Sequence, residues 1–229
     1  MPQRRVRLAL FDLDHTLLEG DSDVLWCDFL LQRDELDRSA FEEGNARMQR
    51  EYRAGTVCPL AFSEFYVSTL AGRTAAQWEP LRREFLERVI APRIGAAAQV
   101  LVERHRGAGE LVVLTTATNR FITEPTAALL GFAHLIATEC ETAADGRFTG
   151  RVAGTLNMRE GKVTRLQQWL GAQGMALHEC ESTFYSDSIN DLPLLQAVRR
   201  PVAVNPDSLL AAEAAQRGWP VLGLHERAG

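Results

Sequence analysis

Asp12 and Asp14 are separated by a single residue in Asp12-Leu13-Asp14-His15-Thr16, directly after the apolar run Val6 to Phe11. Removing a phosphoryl group from an alcohol needs a nucleophile, a proton donor for the leaving oxygen and positive charge on the phosphoryl oxygens. Two carboxylates and a divalent cation supply all three. By itself the pentapeptide fits equally well two aspartates capping the turn that follows, so the decision rests on three other places. Leu111 to Leu114 runs into Thr115 and Thr116, which sets hydroxyls and consecutive backbone N–H groups just ahead of a helix start at Asn119, a setting that suits an anion. Lys162 follows Gly161 at the start of another helix. Alone it is an ordinary solvated lysine, but the helix dipole disfavours a cation there unless something anionic compensates it. Tyr185-Ser186-Asp187-Ser188-Ile189-Asn190-Asp191 closes a further apolar run with two more carboxylates, and Asp187 has the chemistry to complete an oxygen-rich magnesium site.

These residues need a scaffold that brings strand ends together. Short apolar runs recur at Val6 to Phe11, Leu111 to Thr115, Leu135 to Thr138, Thr183 to Ser186, Val202 to Val204 and Pro220 to Leu222. Helical patterns at Gly95 to Arg106, Arg120 to Leu130, Lys162 to Leu170 and Ser208 to Gln216 separate most of them. This alternation predicts an α/β fold built on a doubly wound parallel sheet, in which ligands bind outside the carboxyl ends of the strands. Between Leu18 and Pro92 the alternation gives way to helices alone: Val24 to Gln32, Ser39 to Arg53, Pro59 to Leu70 and Thr74 to Ile90. The expected organisation is therefore a catalytic core of residues 1–17 and 93–229 with a helical cap inserted at residues 18–92. In the last cap helix Thr74 is the expected N-cap, and Trp78, Leu81, Phe85 and Val89 recur at core-facing spacing. Asp145-Gly146 within Glu139 to Val152 signals a hairpin.

Composition narrows the function. The 229 residues are 46% hydrophobic, enough for a buried core, and carry a formal charge of -5, without the basic balance that nucleic-acid binding favours. The N-terminal apolar stretch is cut short by Asp12 and Asp14, so neither a secretory signal nor a membrane span is expected. Cys27, Cys58, Cys140 and Cys180 are scattered without metal or disulfide spacing, as in core thiols of a cytoplasmic protein.

In order and spacing the four segments resemble the haloacid dehalogenase superfamily, whose motifs read Asp-x-Asp-x-Thr, a Ser or Thr after a strand, a Lys, and Asp-x-x-x-Asp. The resemblance spans the chain and implies a magnesium-dependent phosphatase with a Rossmann-like core that works through an aspartyl-phosphate on a small phosphomonoester. By position it implies Asp12 as nucleophile and metal ligand, and Asp14 as acid and base that also lends magnesium its backbone carbonyl. Thr115, with Thr116 beside it, and Lys162 would hold phosphoryl oxygens. Asp187 would be the second carboxylate on magnesium, Asp191 would orient Lys162, and Asn190 would support the metal or phosphate shell. Two positions depart from the pattern. His15 stands where many members have Gly and is expected to pack. Thr116-Ala117 replaces the Gly-Gly that phosphoserine phosphatases carry after their phosphate-binding serine.

A helical insertion after the first motif resembles the branch of phosphoserine phosphatases and the related histidinol-phosphate phosphatases. Asp21 falls where the former have a glutamate facing the substrate amine, although it could equally cap the helix beginning at Ser22 or Asp23. Tyr66 falls where they have the arginine that binds the substrate carboxylate. The pair favours histidinol phosphate, which has an amine and no carboxylate, with phosphoserine as the alternative. A phospho-accepting switch domain also combines Asp, Thr and Lys on such a sheet, but receivers are shorter and place the acceptor on a different strand from the acidic pair.

Overall fold

The computed structural model describes residues 5–225, apart from residues 55 and 57. Strand β1, Arg7–Phe11, runs at the centre of a seven-stranded sheet of order β4-β3-β2-β1-β5-β6-β7. The other strands are β2 (Leu111–Asn119), β3 (His134–Thr142), β4 (Phe148–Ala153), β5 (Glu181–Ser186), β6 (Arg200–Val204) and β7 (Val221–Leu222). All neighbours pair in parallel except β3 with β4, the expected hairpin.

Alternation along β1 shows why it is central. Leu8 and Leu10 face one side of the sheet, and Ala9 and Phe11 face the other, all fully buried. Leu8 and Leu10 pack with α7 (Glu160–Gly171), α8 (Leu192–Ala197) and α9 (Ser208–Arg217) through Leu166, Leu170, Leu194 and Leu210. Ala9 and Phe11 pack with α5 (Ala96–Gly107) and α6 (Arg120–Leu129) through Leu101, Val102 and Phe121.

Between β1 and α5 the chain is helical, as expected: α1 (Ser22–Leu31), α2 (Arg38–Arg53), α3 (Pro59–Val67) and α4 (Ala75–Phe85). Trp26 and Phe29 of α1 meet Phe85 of α4 at ring distances of 5.1 and 5.4 Å, and both helices belong to the same buried cluster as Phe11. Thr74 caps α4 in a capping box with Gln77. The single helix expected from Thr74 to Ile90 ends at Phe85. It passes into a π turn over Leu86–Ile90 and a 3₁₀ turn over Ala91–Arg93, where Pro92 has no amide hydrogen to continue the ladder. The β3–β4 hairpin is tied to this insertion, since Phe148 N donates to Arg73 O and Gly72 N to Phe148 O, each at 2.9 Å.

Among the described residues no helix is long and apolar enough to cross a membrane. The cysteines are free; Cys27 and Cys180 are buried as core thiols should be, whereas Cys58 is exposed at the start of α3.

Candidate active site

The carboxyl ends of β1 and β5 lie side by side, Phe11 opposite Tyr185, so the residues that follow each strand must meet. Asp12 N donates to Tyr185 O at 2.9 Å, which extends the ladder by one bond before β1 turns away. Lys162 Nζ lies 2.7 Å from Asp12 Oδ1 and 2.6 Å from Asp191 Oδ2. Ser186 Oγ also donates to Asp191 Oδ2, at 2.7 Å. The anionic compensation that a lysine at a helix start requires is thus supplied. Gly161 permits it: a Cβ there would sit 2.0 Å from the Leu156 carbonyl oxygen, so only glycine lets the first turn of α7 approach closely enough to bury Lys162.

Thr16 joins the two halves of the expected metal site. Its Oγ1 accepts from Asp187 N at 3.0 Å and lies 3.4 Å from Asp12 Oδ2 and 3.2 Å from Asp187 Oδ1. Burial pushes Asp12 up to about 7; Lys162 opposes the rise, while Asp191 and Asp14 add to it. Burial, then Asp12 and Asp191, pushes Asp187 well above the ordinary carboxylate range. For Lys162 burial alone would favour the neutral amine, but Asp12 and Asp191 more than offset it and hold the ammonium. One ammonium therefore faces Asp12, Asp187 and Asp191. That excess of buried negative charge, presented on oxygens, fits a hard divalent cation between Asp12 and Asp187. Among the described residues no group of three or more His, Cys, Asp or Glu side chains is arranged to hold a metal alone. The rest of such a shell would come from a backbone carbonyl, water and substrate oxygens.

Asp14 faces the other way. Its Oδ1 accepts from Ser22 N at 2.7 Å, and its Oδ2 lies 2.9 Å from Thr118 Oγ1 and 3.3 Å from Thr116 Oγ1. Of the two threonines that end the apolar run of β2, both fully buried, Thr116 is the one whose hydroxyl reaches Asp14. The Thr115 hydroxyl, fully buried, accepts from Asn157 Nδ2 at 3.0 Å. Asn157 also donates to Thr116 O and Ile136 O, which pins the ends of β2 and β3 where their register shifts. Asn190 Oδ1 accepts from Arg159 Nε at 3.0 Å.

A cavity of about 730 Å³ adjoins these groups. Asp21, Val24 and Leu25 at α1 and Phe62 and Tyr66 of α3 line it, together with Asp187, Asn190, Asp207 and Leu209 from the segments after β5 and β6. Asp21 is the N-cap of α1, accepting from Asp23 N and Val24 N at 2.9 and 3.1 Å, and it lines the cavity as well. Burial and the neighbouring Asp14 carboxylate push it up to about 7. Tyr66 is buried; its hydroxyl donates to Asn45 Oδ1 at 3.0 Å and its ring packs edge-on to Phe62. His15 does not pack as expected. Its side chain is exposed at the cavity, and its backbone sits in the left-handed region at φ 55, which explains why glycine suits this position. The His15 carbonyl accepts from His225 Nε2 at 2.9 Å and Asn205 Nδ2 at 3.3 Å, and these contacts hold the turn.

Sequence reasoning missed Asp23, Thr118, Asn157 and Arg159. Thr118 had a usable signal, because it follows the Thr-Thr pair in a strand that stays polar to its end. Asp23 had none beyond its place in the first turn of α1.

With the geometry in place, comparison with known proteins is decisive for the family. Residues 9–196 match the haloacid dehalogenase-like hydrolases. This chain belongs to that family. It is 43% identical over 216 residues to a histidinol-phosphatase of Neisseria meningitidis, covering 94% of this chain and 97% of that one. It is 34% identical over 223 residues to a phosphoserine phosphatase of Mycobacterium tuberculosis, covering 93% and 69%. A crystal structure of a Bordetella pertussis protein of unknown function superposes with a TM-score of 0.91 at 45% identity, covering 97% of this chain and all of that one. A phosphoserine phosphatase solved as a phospho-aspartyl intermediate analogue superposes with a TM-score of 0.69 at 16% identity, covering 97% and 95%, a likeness of fold.

Proposed function

We propose that this phosphatase hydrolyses a small phosphomonoester in two steps, with Asp12 as nucleophile and histidinol phosphate as the favoured substrate. One observation carries the reading. A buried Asp12 carboxylate, held by Lys162 at 2.7 Å, lines a small pocket with Asp14; that pocket shares Asp21, Asp187 and Asn190 with a larger cavity whose own lining contains no lysine or arginine among the described residues.

In the first step an Asp12 oxygen attacks phosphorus while Asp14 gives its proton to the departing alkoxide, and the alcohol leaves. In the second, Asp14 takes a proton from water, the water oxygen attacks phosphorus, and the acyl phosphate breaks to free Asp12 and inorganic phosphate. Lys162 keeps its charge throughout and neutralises a phosphoryl oxygen, aid commonly worth about 3–4 kcal/mol per donor. Asp191 and Ser186 hold it in place. Magnesium, held by Asp12, Asp187 and the Asp14 carbonyl, would supply further positive charge to the phosphoryl group. Asn190 supports that shell, and Thr116 with the N–H groups after it cradles a phosphoryl oxygen. Thr115, given the same task by its position in the motif, serves better as the anchor of the strand end.

Asp21 offers a partner for a substrate amine, and Val24, Leu25, Phe62 and Tyr66 offer an apolar wall for a ring. A substrate carboxylate buried here without a cation costs at least about 1–3 kcal/mol, roughly ten- to hundredfold in kcat/KM. The Neisseria relative supports histidinol phosphate and the mycobacterial relative supports phosphoserine. Measuring kcat/KM for both decides between them. Histidinol phosphate is expected to lead by at least about tenfold; parity, or a lead for phosphoserine, overturns the substrate assignment.

A further inference from the structure

Beside Asp14, in the small pocket that Asp12 and Lys162 also line, lies a buried group that the two-step chemistry does not use. Thr118 Oγ1 stands between two carboxylates, 2.9 Å from Asp14 Oδ2 and 3.2 Å from Asp23 Oδ2. Ser22 Oγ is a third neighbour at 3.2 Å, and Asn119 Nδ2 donates to Asp23 Oδ1 at 3.4 Å. Asp23 itself is 5% exposed, and Thr118 is 3% exposed.

A hydroxyl has one proton to give and two lone pairs to receive with. If both carboxylates were ionised, both would claim the single Thr118 proton, and the loser would face a lone pair in a buried setting. If Asp23 is protonated, every group is satisfied. Asp23 donates to Thr118, Ser22 donates to Thr118, and Thr118 donates to Asp14. Asn119 fills the other Asp23 oxygen. The titratable groups around Asp23 are Asp14, Asp21, Cys27, Cys140 and Tyr66, all acids. Burial, followed by Asp21 and Asp14, pushes Asp23 well above the ordinary carboxylate range.

We propose that Asp23 is a positioning residue: as a neutral acid it fixes the direction of the chain Asp23 to Thr118 to Asp14 and so orients the Asp14 carboxyl for transfer of its proton to the leaving oxygen. The inference rests on the reading of Asp14 as proton donor. With Ser22 N–H on Oδ1 and the Thr118 and Thr116 hydroxyls both on Oδ2, the carboxyl plane is set, and the transferred proton is confined to the remaining lone pair of Oδ1. Asp23 acts through Thr118, its two oxygens engaged by Thr118 and Asn119.

The test uses the leaving group. kcat/KM reads the step in which the alcohol departs, and an alkoxide needs Asp14's proton far more than an aryl oxide such as 4-nitrophenolate. Thr118→Val and Asp23→Ala are expected to lower kcat/KM for an alkyl phosphate by about tenfold or more, part of the roughly 10²–10⁴-fold a positioned acid supplies, with 4-nitrophenyl phosphate much less affected. Thr118→Ser should restore the alkyl rate. Asp23→Asn should restore most of it, because the amide keeps a donor for Thr118 and an acceptor for Asn119. Equal losses on both substrates, no loss at all, or an Asp23→Asn variant as slow as Asp23→Ala would overturn the proposal. Asp14→Asn separates the two levels. If it handles alkyl phosphates normally, the reading of Asp14 fails; if it is slow on them while Thr118→Val is not, the inference about Asp23 alone fails.

Discussion

Two clusters of carboxylates share this end of the sheet, and opposite means hold them. Around Asp12, Asp187 and Asp191 there is a cation, Lys162, with bonds of 2.7 and 2.6 Å to two of the three. Around Asp14, Asp21 and Asp23 the partners are hydroxyls and the backbone N–H groups at the start of α1. Burial raises carboxyls in both clusters, Asp12 and Asp21 to about 7 and Asp187 and Asp23 well above the ordinary range; at Asp12 and Asp187 an ammonium opposes the rise, whereas at Asp21 and Asp23 hydrogen bonds do. A buried carboxylate next to fixed positive charge is prepared to be an anion, and so a nucleophile or a ligand. One held by hydroxyls and backbone N–H groups is fixed in orientation without a countercharge. The division suits the two tasks of the proposed reaction, attack by Asp12 on one side and proton transfer by Asp14 on the other.

Removing charge from the first cluster is the severest way to break the comparison. Chelation of divalent cations is expected to reduce turnover to background and magnesium to restore it, as checked by phosphate release; full activity in chelator contradicts a cation between Asp12 and Asp187. Next in size is Lys162→Met. Two buried carboxylates lose their partner, so kcat/KM should fall about 10²–10³-fold and unfolding free energy by about 3–5 kcal/mol, read from kinetics and denaturant titration. A variant with undiminished activity would show that Lys162 only fills space.

The smallest effect sharpens the second cluster. The folded-state value of Asp21 is raised from 3.8 to about 7. Between these values the folded chain holds a proton that the unfolded chain has released. The stability this contributes is whole below the unfolded value and is lost as pH rises through about 7. Asp21→Asn removes the titration and keeps a good N-cap. Without metal, its melting temperature should therefore fall less than that of wild type between about pH 5 and 8, by at most a few degrees because Asp21 keeps some solvent contact at the cavity. An unchanged pH dependence would place the titration elsewhere.

How far the sequence foretold this site depends on what fixes each residue. Asp12, Asp187, Asp191 and Lys162 were legible because they follow the ends of neighbouring parallel strands or open a helix behind a glycine, and such a sheet allows few other arrangements. The choice between Thr115 and Thr116 was not, since one residue of register decides which hydroxyl faces the site. That register is set by Asn157, more than forty positions away by the difference of 157 and 115. His15 was misread because its backbone crosses into the left-handed region, where the ring swings outward. The Thr118–Asp23 contact depends on how α1 docks against β2, a matter of tertiary packing that local pattern does not carry. For Asp21 two readings were open, a cap of α1 from the sequence and a substrate-facing place from the resemblance, and it both caps α1 and lines the cavity.

The central claim is that Asp12 carries the phosphoryl group between the two steps. Mixing enzyme, magnesium and a phosphomonoester labelled in its phosphoryl group, quenching in acid within one turnover and mapping the labelled peptide tests it most directly. The account predicts label on the peptide containing Asp12, stable in acid and released by hydroxylamine as an acyl phosphate is, and no label in Asp12→Asn. Label on any other residue, or normal turnover by Asp12→Asn, would contradict it.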